Sequence, residues 1–292
     1  MFSSNAQLLR FAMYQSLFVS LISAQTRFEP IPFVSFDQSM EFSKGDPHNK
    51  LKNVIVKFCR ELYNANNLTK IQPQKDPIIP QRIHLIWLGP KNPPAIFKDC
   101  LTSIKKHLPH WQVKIWRDED VPGLKLYNQK YYDEEINYGA KSDLLRYEIL
   151  YKFGGVYIDV DMVLLKSLDI LHHTYEFYTG LEANDNEAIL GNAIIASIPG
   201  HPILKDCIEM VKHHRTGDLH DWNVVHRTGP RHFEKSFFSE AMDRGDRIIA
   251  FPKSFFFPIS FCAAGEDDAC KAACIKNETF CVHHWSGSWL IK

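Results

Sequence analysis

Two carboxylates at the end of a short apolar run constrain this chain more than any other feature. Residues 156–158, Val-Tyr-Ile, follow the glycine pair at 154–155 and lead into Asp159 and Asp161. β-Branched and aromatic residues in such a run predict a buried strand. Because side chains alternate along a strand, the two carboxylates should point the same way and repel each other unless a cation lies between them. Isolated Asp-x-Asp pairs are also typical of solvated turns, but the upstream segment favours a divalent metal site.

That upstream segment, residues 140–153, predicts a buried helix. It contains no proline or glycine, and its apolar residues lie almost all round the helix. Asp143 and Arg146 are three positions apart and therefore share one face. An internal ion pair would explain them, yet burying two charges is a poor route to stability. We therefore interpret Asp143 and Arg146 as groups that hold a polar ligand.

Strand-like and helix-like segments alternate along the chain, which predicts an α/β fold. A continuous apolar run at 81–88 is stopped by Gly89-Pro90 and should be a central parallel strand. Ligands bind at the carboxyl ends of such strands, where Asp159 and Asp161 are expected. Further strands are predicted at 111–116, 175–181, 189–197 and 247–259, and further helices at 51–65, 95–107 and 201–214.

Residues 140–161 resemble the signature of the glycosyltransferase family whose sugar-binding region contains a DXD motif. The pattern reads Ala-Lys-Ser-Asp-x-x-Arg-Tyr-x-x-Leu-Tyr-x-x-Gly-Gly-x-Tyr-x-Asp-x-Asp. The family includes yeast initiation-type mannosyltransferases and α-1,4-linking Golgi enzymes, and the donor core of large clostridial glucosylating toxins is similar. The resemblance extends over 78–292 through residues 83–89, 228–230 and 283–289. It implies the GT-A fold of nucleotide-diphospho-sugar transferases, a Rossmann-like mixed sheet flanked by helices.

The resemblance also implies roles for individual residues. Trp87 would stack on the base of the donor, and the backbone of Leu85 and Ile86 would contact that base. Asp143 and Arg146 would hold sugar hydroxyls and phosphate oxygens. Asp161 would bind the metal directly, and Asp159 partly through ribose hydroxyls or water. Asn192 would line the sugar pocket. The residues expected in catalysis are Asp143, Arg146 and Asp161.

The C-terminal motif at 283–289 is implied to be a lid. His284 falls where similar enzymes carry a metal or diphosphate ligand, although His283 stays open because neighbours on a strand alternate faces. Ser288 and Trp289 would bind and cover the diphosphate. Closure of this segment would exclude water and suppress hydrolysis of the donor.

The implied reaction is retaining transfer of a hexose from a nucleotide-diphosphate sugar to a hydroxyl of a glycan, glycolipid or protein, with manganese or else magnesium as cofactor. One alternative is a haloacid-dehalogenase-type phosphatase, with Asp159 as nucleophile, Asp161 as general acid and Asp267-Asp268 as its later acidic pair. The other alternative is a sugar-nucleotide-binding pseudoenzyme.

Composition excludes one class of partner. Lys+Arg and Asp+Glu both number 34 in 292 residues, so no strong basic charge points to nucleic acid. The apolar run at 11–24 follows Arg10 and is too short for a comfortable membrane span. We expect a signal peptide or short membrane anchor over 1–24, a stem over 25–77 and the catalytic domain over 78–292.

Four cysteines near the C-terminus indicate an oxidising compartment. They crowd into residues 262–281 without zinc-type spacing, so two disulfides are expected there. Glycosylation sequons begin at Asn67 and Asn277. We therefore expect a protein of the Golgi or ER lumen, or a secreted one, with the cytoplasm as the alternative. The four cysteines are Cys262, Cys270, Cys274 and Cys281.

Overall fold

The computed structural model describes residues 28–40, 54–183, 187–214, 221–242, 245 and 247–287. Phe33–Lys292 forms one compact unit. The N-terminal run at 11–24 and the tail residues Ser288 and Trp289 lie outside the described residues, so the predictions made for them stay predictions.

A six-stranded mixed sheet forms the centre of this unit, in the order β2-β1-β3-β6-β5-β7. β1 runs parallel to β2 and β3, β6 runs antiparallel to β3 and β5, and β7 runs parallel to β5. β4 and β8 form a separate antiparallel pair. The strands are β1 (Arg82–Ile86), β2 (Gln112–Trp116), β3 (Gly155–Ile158), β4 (Met162–Leu164), β5 (Phe177–Ala183), β6 (Ala188–Ser197), β7 (Ile248–Phe251) and β8 (Cys281–His283).

Helices flank the sheet, which confirms the predicted α/β fold with a central parallel strand. α5 packs against α7, β1 and β3, while α9 packs against β6. The helices are α1 (Phe36–Ser39), α2 (Val54–Asn66), α3 (Phe97–His107), α4 (Gln129–Glu134), α5 (Tyr138–Phe153), α6 (Asp169–Thr174), α7 (Pro202–His214), α8 (Asp221–Arg227), α9 (Pro230–Ala241) and α10 (Asp268–Cys274). Short 3₁₀ turns cover Asp118–Gly123, Lys253–Phe255 and Phe261–Ala263.

The glycine pair between α5 and β3 has a geometric reason. Gly154 ends α5 with φ 60°, and Gly155 has φ 100°. A β-carbon on Gly155 would lie 2.6 Å from the carbonyl oxygen of Arg82 on the neighbouring strand. Only glycine tolerates both the left-handed φ and this close approach. The pair therefore lets the buried helix turn directly into the strand that carries the carboxylates.

The prediction of a strand over 247–259 is only partly correct. β7 ends at Phe251, and Pro252 starts a 3₁₀ turn. A proline cannot donate to the sheet ladder, so it stops the strand. The aromatic residues that follow it are buried instead, and Phe255 packs against Tyr63 of α2 with ring centroids 6.0 Å apart. Helix α2, from the segment predicted as a stem, thus contributes to the core and packs against β7.

The two predicted disulfides are absent from the described residues. Cys270, Cys274 and Cys281 are free thiols. Cys281 is buried in β8, whereas Cys270 is exposed on α10. Cys270 on α10 and Cys281 on β8 therefore lie in different environments, and the spacing of the cysteines in the sequence could not reveal that difference.

The two sequons differ in accessibility. Asn67 is 4% exposed, and its amide nitrogen donates to the carbonyl of Tyr63 while its oxygen accepts from the backbone N–H of Thr69. Asn277 is exposed. In the folded protein, only the second sequon presents its asparagine to solvent. Among the helices in the described parts of the chain, none has the length and apolar character that a bilayer crossing requires.

Candidate active site at the carboxyl ends of β1 and β3

The two motif carboxylates converge through a tight turn. β3 ends at Ile158, and the backbone N–H of Asp159 donates to the carbonyl of Ala193 on β6 (2.8 Å). The N–H of Met162 then donates to the carbonyl of Asp159 (3.1 Å), and the chain continues as β4. The expectation that Asp159 and Asp161 act together is consistent with this geometry. A turn brings them together, however, and not the side-chain alternation of a longer strand.

A histidine from the C-terminal segment joins them. β8 pairs with β4 so that His283 lies opposite Met162. His283 Nε2 lies 3.1 Å from Asp161 Oδ1 and 3.7 Å from Asp159 Oδ2. One ligand atom from each of these three residues lies within 4.8 Å of the others. We call Asp159, Asp161 and His283 the Asp-Asp-His group; its carboxylate oxygens and imidazole nitrogen suit a divalent metal ion.

The backbone orients this group further. The N–H of Ser286 donates to Asp161 Oδ2 (2.7 Å), and the N–H of His284 donates to the Asp161 carbonyl (3.0 Å). The rings of His283 and Trp285 lie 4.1 Å apart, and the Trp285 indole donates to the carbonyl of Ile259 (2.8 Å). The segment through Ser286 is therefore already docked on the carboxylates.

The pKa values within the group differ in direction. Burial raises the pKa of Asp159, against the opposing effect of Arg146. Burial would also raise the pKa of Asp161, but the hydrogen bonds from His283 and Ser286 hold that pKa well below its usual range. Burial would lower the pKa of His283, yet the bond to Asp161 and both carboxylate charges raise it. The group thus attracts positive charge strongly.

His283, and not the predicted His284, reaches the carboxylates. The side chain of His284 is exposed, while that of His283 is buried. Neighbouring residues of β8 face opposite sides, and the pairing with β4 decides which side meets the Asp pair. The sequence alone left both histidines open.

A second cluster surrounds Arg146 on α5. Asp143 Oδ1 lies 3.0 Å from Arg146 Nη2 and accepts from Asn192 Nδ2 (2.9 Å), while Asp143 Oδ2 accepts from Thr228 Oγ1 (2.9 Å). Arg146 Nη1 donates to the carbonyl of Asn192 (2.5 Å) and lies 3.5 Å from Asp159 Oδ1. The structure therefore brings the predicted sugar-binding residues Asp143, Arg146 and Asn192 together and connects them to the Asp-Asp-His group.

Burial dominates the electrostatics of this cluster. It raises the pKa of Asp143 to about 6, although Arg146, Thr228 and Asn192 oppose the rise. Burial would lower the pKa of Arg146, but the carboxylates of Asp143 and Asp159 raise it, so the guanidinium stays protonated. A fixed cation consequently lies 3.5 Å from Asp159 of the Asp-Asp-His group.

Tyr157 and Thr228 belong to the site although sequence reasoning gave them no role. Tyr157 Oη donates to Asp159 Oδ1 (2.6 Å), and its ring lies 4.2 Å from the Arg146 guanidinium. Thr228 comes from residues 228–230, one of the segments through which the family resemblance extends. The signal for both residues was their place inside the motifs, but only the structure reveals their contacts.

Trp87 follows β1 at the same edge of the sheet, since β1 and β3 are parallel neighbours. Leu85 and Ile86 are buried in β1, whereas the Trp87 side chain is half-buried. The Trp87 indole donates to the carbonyl of Lys91 (2.7 Å), which fixes the orientation of the ring. The acidic pair required by the phosphatase alternative, Asp267-Asp268, is exposed at the start of α10.

Comparison with known proteins gives a consistent result. Residues 94–178 match the family described as glycosyltransferase sugar-binding region containing DXD motif. An uncharacterized glycosyltransferase, L373, of Acanthamoeba polyphaga mimivirus is 26% identical over 218 residues, which are 73% of this chain and 84% of that protein. The lactosylceramide 4-alpha-galactosyltransferase of Rattus norvegicus is 31% identical over 156 residues, 50% of this chain and 40% of that enzyme.

Among solved structures, the PaToxG glycosyltransferase aligns with a TM-score of 0.49 and 23% identity, over 64% of this chain and 77% of that chain. Of several other curated relatives, the chain spans about half the length or less. The family match and the curated relatives confirm the predicted resemblance to glycosyltransferases with a DXD motif and the predicted enzyme class, a glycosyltransferase.

Proposed function

We propose that this protein is a metal-dependent, retaining glycosyltransferase that moves a hexose from a nucleotide-diphosphate sugar to a hydroxyl of a glycan, glycolipid or protein acceptor. One observation carries the proposal. The Asp-Asp-His group, suited to a cation, adjoins a buried Arg146 whose partners are the residues expected to bind sugar. A cation and an arginine side by side are what a diphosphate leaving group requires.

Asp159, Asp161 and His283 are the residues that would hold the metal. Their donor atoms are carboxylate oxygens and one imidazole nitrogen. Carboxylates suit manganese and magnesium, and we propose manganese as the cofactor, with magnesium as the alternative. When bound, the metal would neutralise charge on the diphosphate and assist its departure.

Arg146 and Asp143 would act directly on the donor. The Arg146 guanidinium is held by Asp143 and the Asn192 carbonyl, so it needs little reorganisation to stabilise negative charge as the sugar–phosphate bond breaks. Asp143 uses three of the about four acceptor positions of a carboxylate on Arg146, Asn192 and Thr228. We assign the remaining position to a sugar hydroxyl.

Trp87 supplies a platform for the base. Its indole is anchored through Nε1 but half-exposed at the end of β1, as a stacking surface requires. We further propose that residues 283–289 close over the diphosphate, because the part through Ser286 already contacts Asp161. Ser288 and Trp289 would complete that lid.

Retention of configuration is supported by chemistry and by a relative. The rat relative is named for the α linkage that it forms, and common nucleotide-hexose donors carry the sugar in an α linkage. An α product from an α donor requires retention. We propose the secretory pathway as the compartment because of the apolar run at 11–24 and the sequon at Asn277.

The deciding experiment is a donor screen. The protein would be incubated with Mn²⁺ and UDP-glucose, UDP-galactose, UDP-N-acetylglucosamine or GDP-mannose, and free nucleotide and free phosphate would be measured. We expect release of nucleoside diphosphate from one donor, suppressed by chelator. Release of inorganic phosphate from small phosphate esters instead would favour the phosphatase, and tight nucleotide binding without turnover would favour the pseudoenzyme.

A further inference from the structure

Glu182 is a carboxyl beside the site to which neither the motifs nor the metal group assigns a role. It lies on β5, opposite Ile189 of β6, and is only partly exposed. The space occupied by its side chain exists because residue 191 is glycine. A β-carbon on Gly191 would lie 2.8 Å from Glu182 Cγ and would clash with Glu182 Oε1. Gly191 thus leaves room for the carboxyl next to Asn192.

The charges around Glu182 belong to the active site. Its carboxyl is within electrostatic range of His283, Asp159 and Arg146. Its oxygens are not among the three ligand atoms that cluster within 4.8 Å, so Glu182 is not a member of the Asp-Asp-His group. In the proposed function that group holds the diphosphate end of the donor, which leaves the sugar as the part that Glu182 would contact.

Hydrogen bonding distinguishes Glu182 from the other carboxyls of the site. Asp143 accepts from Asn192 and Thr228, and Asp161 accepts from Ser286. Among the residues that the structure describes, no group donates a hydrogen bond to Glu182. The acceptor positions of this partly exposed carboxylate are therefore open to a ligand, and burial raises the pKa of Glu182 to about 7. A ligand that brings hydroxyl groups would donate to those positions.

We propose that Glu182 binds a hydroxyl of the donor sugar and thereby contributes to the choice of hexose. The inference rests on the proposed glycosyltransferase function and adds a sugar-binding residue to it. Asn192 and Glu182 lie on neighbouring strands, with the bare Gly191 between them. Together they border the sugar from the sheet side, while Arg146 and the Asp-Asp-His group border the diphosphate.

The test compares affinities for ligands with and without the sugar. Calorimetric titrations in Mn²⁺ would use UDP and GDP and then UDP-glucose, UDP-galactose, UDP-N-acetylglucosamine and GDP-mannose. The variants are Glu182→Gln and Glu182→Ala, and the control is Glu209→Gln, which changes an exposed carboxyl on α7. Unfolding temperatures would be measured for each.

We expect Glu182→Gln and Glu182→Ala to weaken binding of the preferred nucleotide sugar by about tenfold or more, the effect typical of one hydrogen bond to a charged group. Binding of the bare nucleoside diphosphate should stay the same, as should the unfolding temperature of Glu182→Gln. The control should resemble the unaltered protein.

Three results would overturn the inference. An equal loss for diphosphate and nucleotide sugar would make Glu182 part of the metal or diphosphate site. Unchanged donor binding combined with a raised KM for the acceptor would assign it to the acceptor. Unchanged behaviour in both respects would leave it no role in sugar recognition. If the unaltered protein binds no nucleotide at all, the proposed function itself fails, and this inference fails with it.

Discussion

Two buried ionic clusters in this protein differ in how their charges are balanced. Glu135 and Arg227 form an ion pair at 2.9 Å, with side chains 0% and 2% exposed. The other Glu135 oxygen accepts from the N–H groups of Ile136 and Asn137 (3.0 Å each). One positive and one negative charge thus neutralise each other within the protein. The Asp-Asp-His group instead combines two carboxylates with an imidazole whose Nδ1 has no partner among the described residues.

The comparison shows that burial of charge does not by itself identify a functional site. What distinguishes the Asp-Asp-His group is unbalanced charge, because two carboxylates face a single imidazole. The balanced pair still serves the site indirectly. Glu135 fixes the backbone of Asn137, and the Asn137 side chain caps α5 by accepting from Gly139 and Ala140. That helix carries Asp143 and Arg146.

The same contrast separates two histidines. In His84, both ring nitrogens are satisfied: Nε2 bonds to the Gly154 carbonyl (2.9 Å) and Nδ1 to the Trp116 indole (3.1 Å). Burial lowers the pKa of His84 to about 4, whereas the pKa of His283 is raised by its carboxylate neighbours. His84 is therefore a neutral structural residue, and His283 is available to a ligand.

The largest expected effect is loss of activity in Asp161→Asn. The substitution removes one of the two carboxylates proposed to bind the metal ion. Metal ions typically stabilise the transition state of such reactions by several kcal/mol. Transfer should fall by about a thousandfold or more, while the midpoint of urea unfolding changes little. Excess chelator applied to the unaltered protein should have the same effect. Full turnover by the variant or in chelator would contradict the metal-dependent function.

The second effect is on stability alone. Arg227→Met leaves Glu135 buried without a counter-charge, so the free energy of unfolding should fall by about 3–5 kcal/mol. Adding Glu135→Gln to that variant should recover part of the loss. Activity per folded molecule should remain within a few-fold of the original. If instead kcat collapsed while stability was preserved, the division between balanced and unbalanced clusters would be wrong.

An intermediate effect concerns two tryptophans. Trp87→Ala should weaken binding of nucleoside diphosphate by about 1–3 kcal/mol through loss of base stacking. Trp116→Phe removes a buried indole that bonds to His84, so it should lower stability and leave nucleotide affinity unchanged. Calorimetry on both variants checks this. Equal nucleotide affinity in Trp87→Ala and the unaltered protein would return Trp87 to a purely structural role.

The smallest effect is a pH dependence of stability. The pKa of His84 is about 4 in the folded state and about 6.5 when exposed. Between these values the unfolded chain binds more protons, so the His84 contribution is present above pH 6.5 and is lost as the pH falls towards 4. At pH 5.5 the loss relative to pH 7.5 should be about 1.3 kcal/mol. The measurement is the unfolding free energy at pH 7.5 and at pH 5.5. The difference between the two should be smaller by that amount in His84→Gln than in the unaltered protein. An identical difference in the two proteins would mean that His84 is protonated in the fold.

Local patterns were enough to predict the framework of the protein. The buried helix at 140–153, the strand before the carboxylates and the parallel strand at 81–88 were located within a few residues of their observed ends. Each depends on residues close in sequence: an apolar period, a run of β-branched residues or a glycine stop. The same reasoning found Asp143, Arg146, Asp159 and Asp161, because those residues lie within one continuous motif.

Tertiary structure decided which distant residues complete the site. His283 is more than a hundred residues from Asp161, and the pairing of β4 with β8 selects it over His284. Glu182 lies beside the site only because β5 pairs with β6 and residue 191 has no side chain. The exposure of the C-terminal thiols is likewise decided by the fold, because β8 buries Cys281 and α10 leaves Cys270 exposed. Side-chain preferences determine helices and strands locally, but strand register and burial are properties of the assembled chain, and they determine which side chains meet.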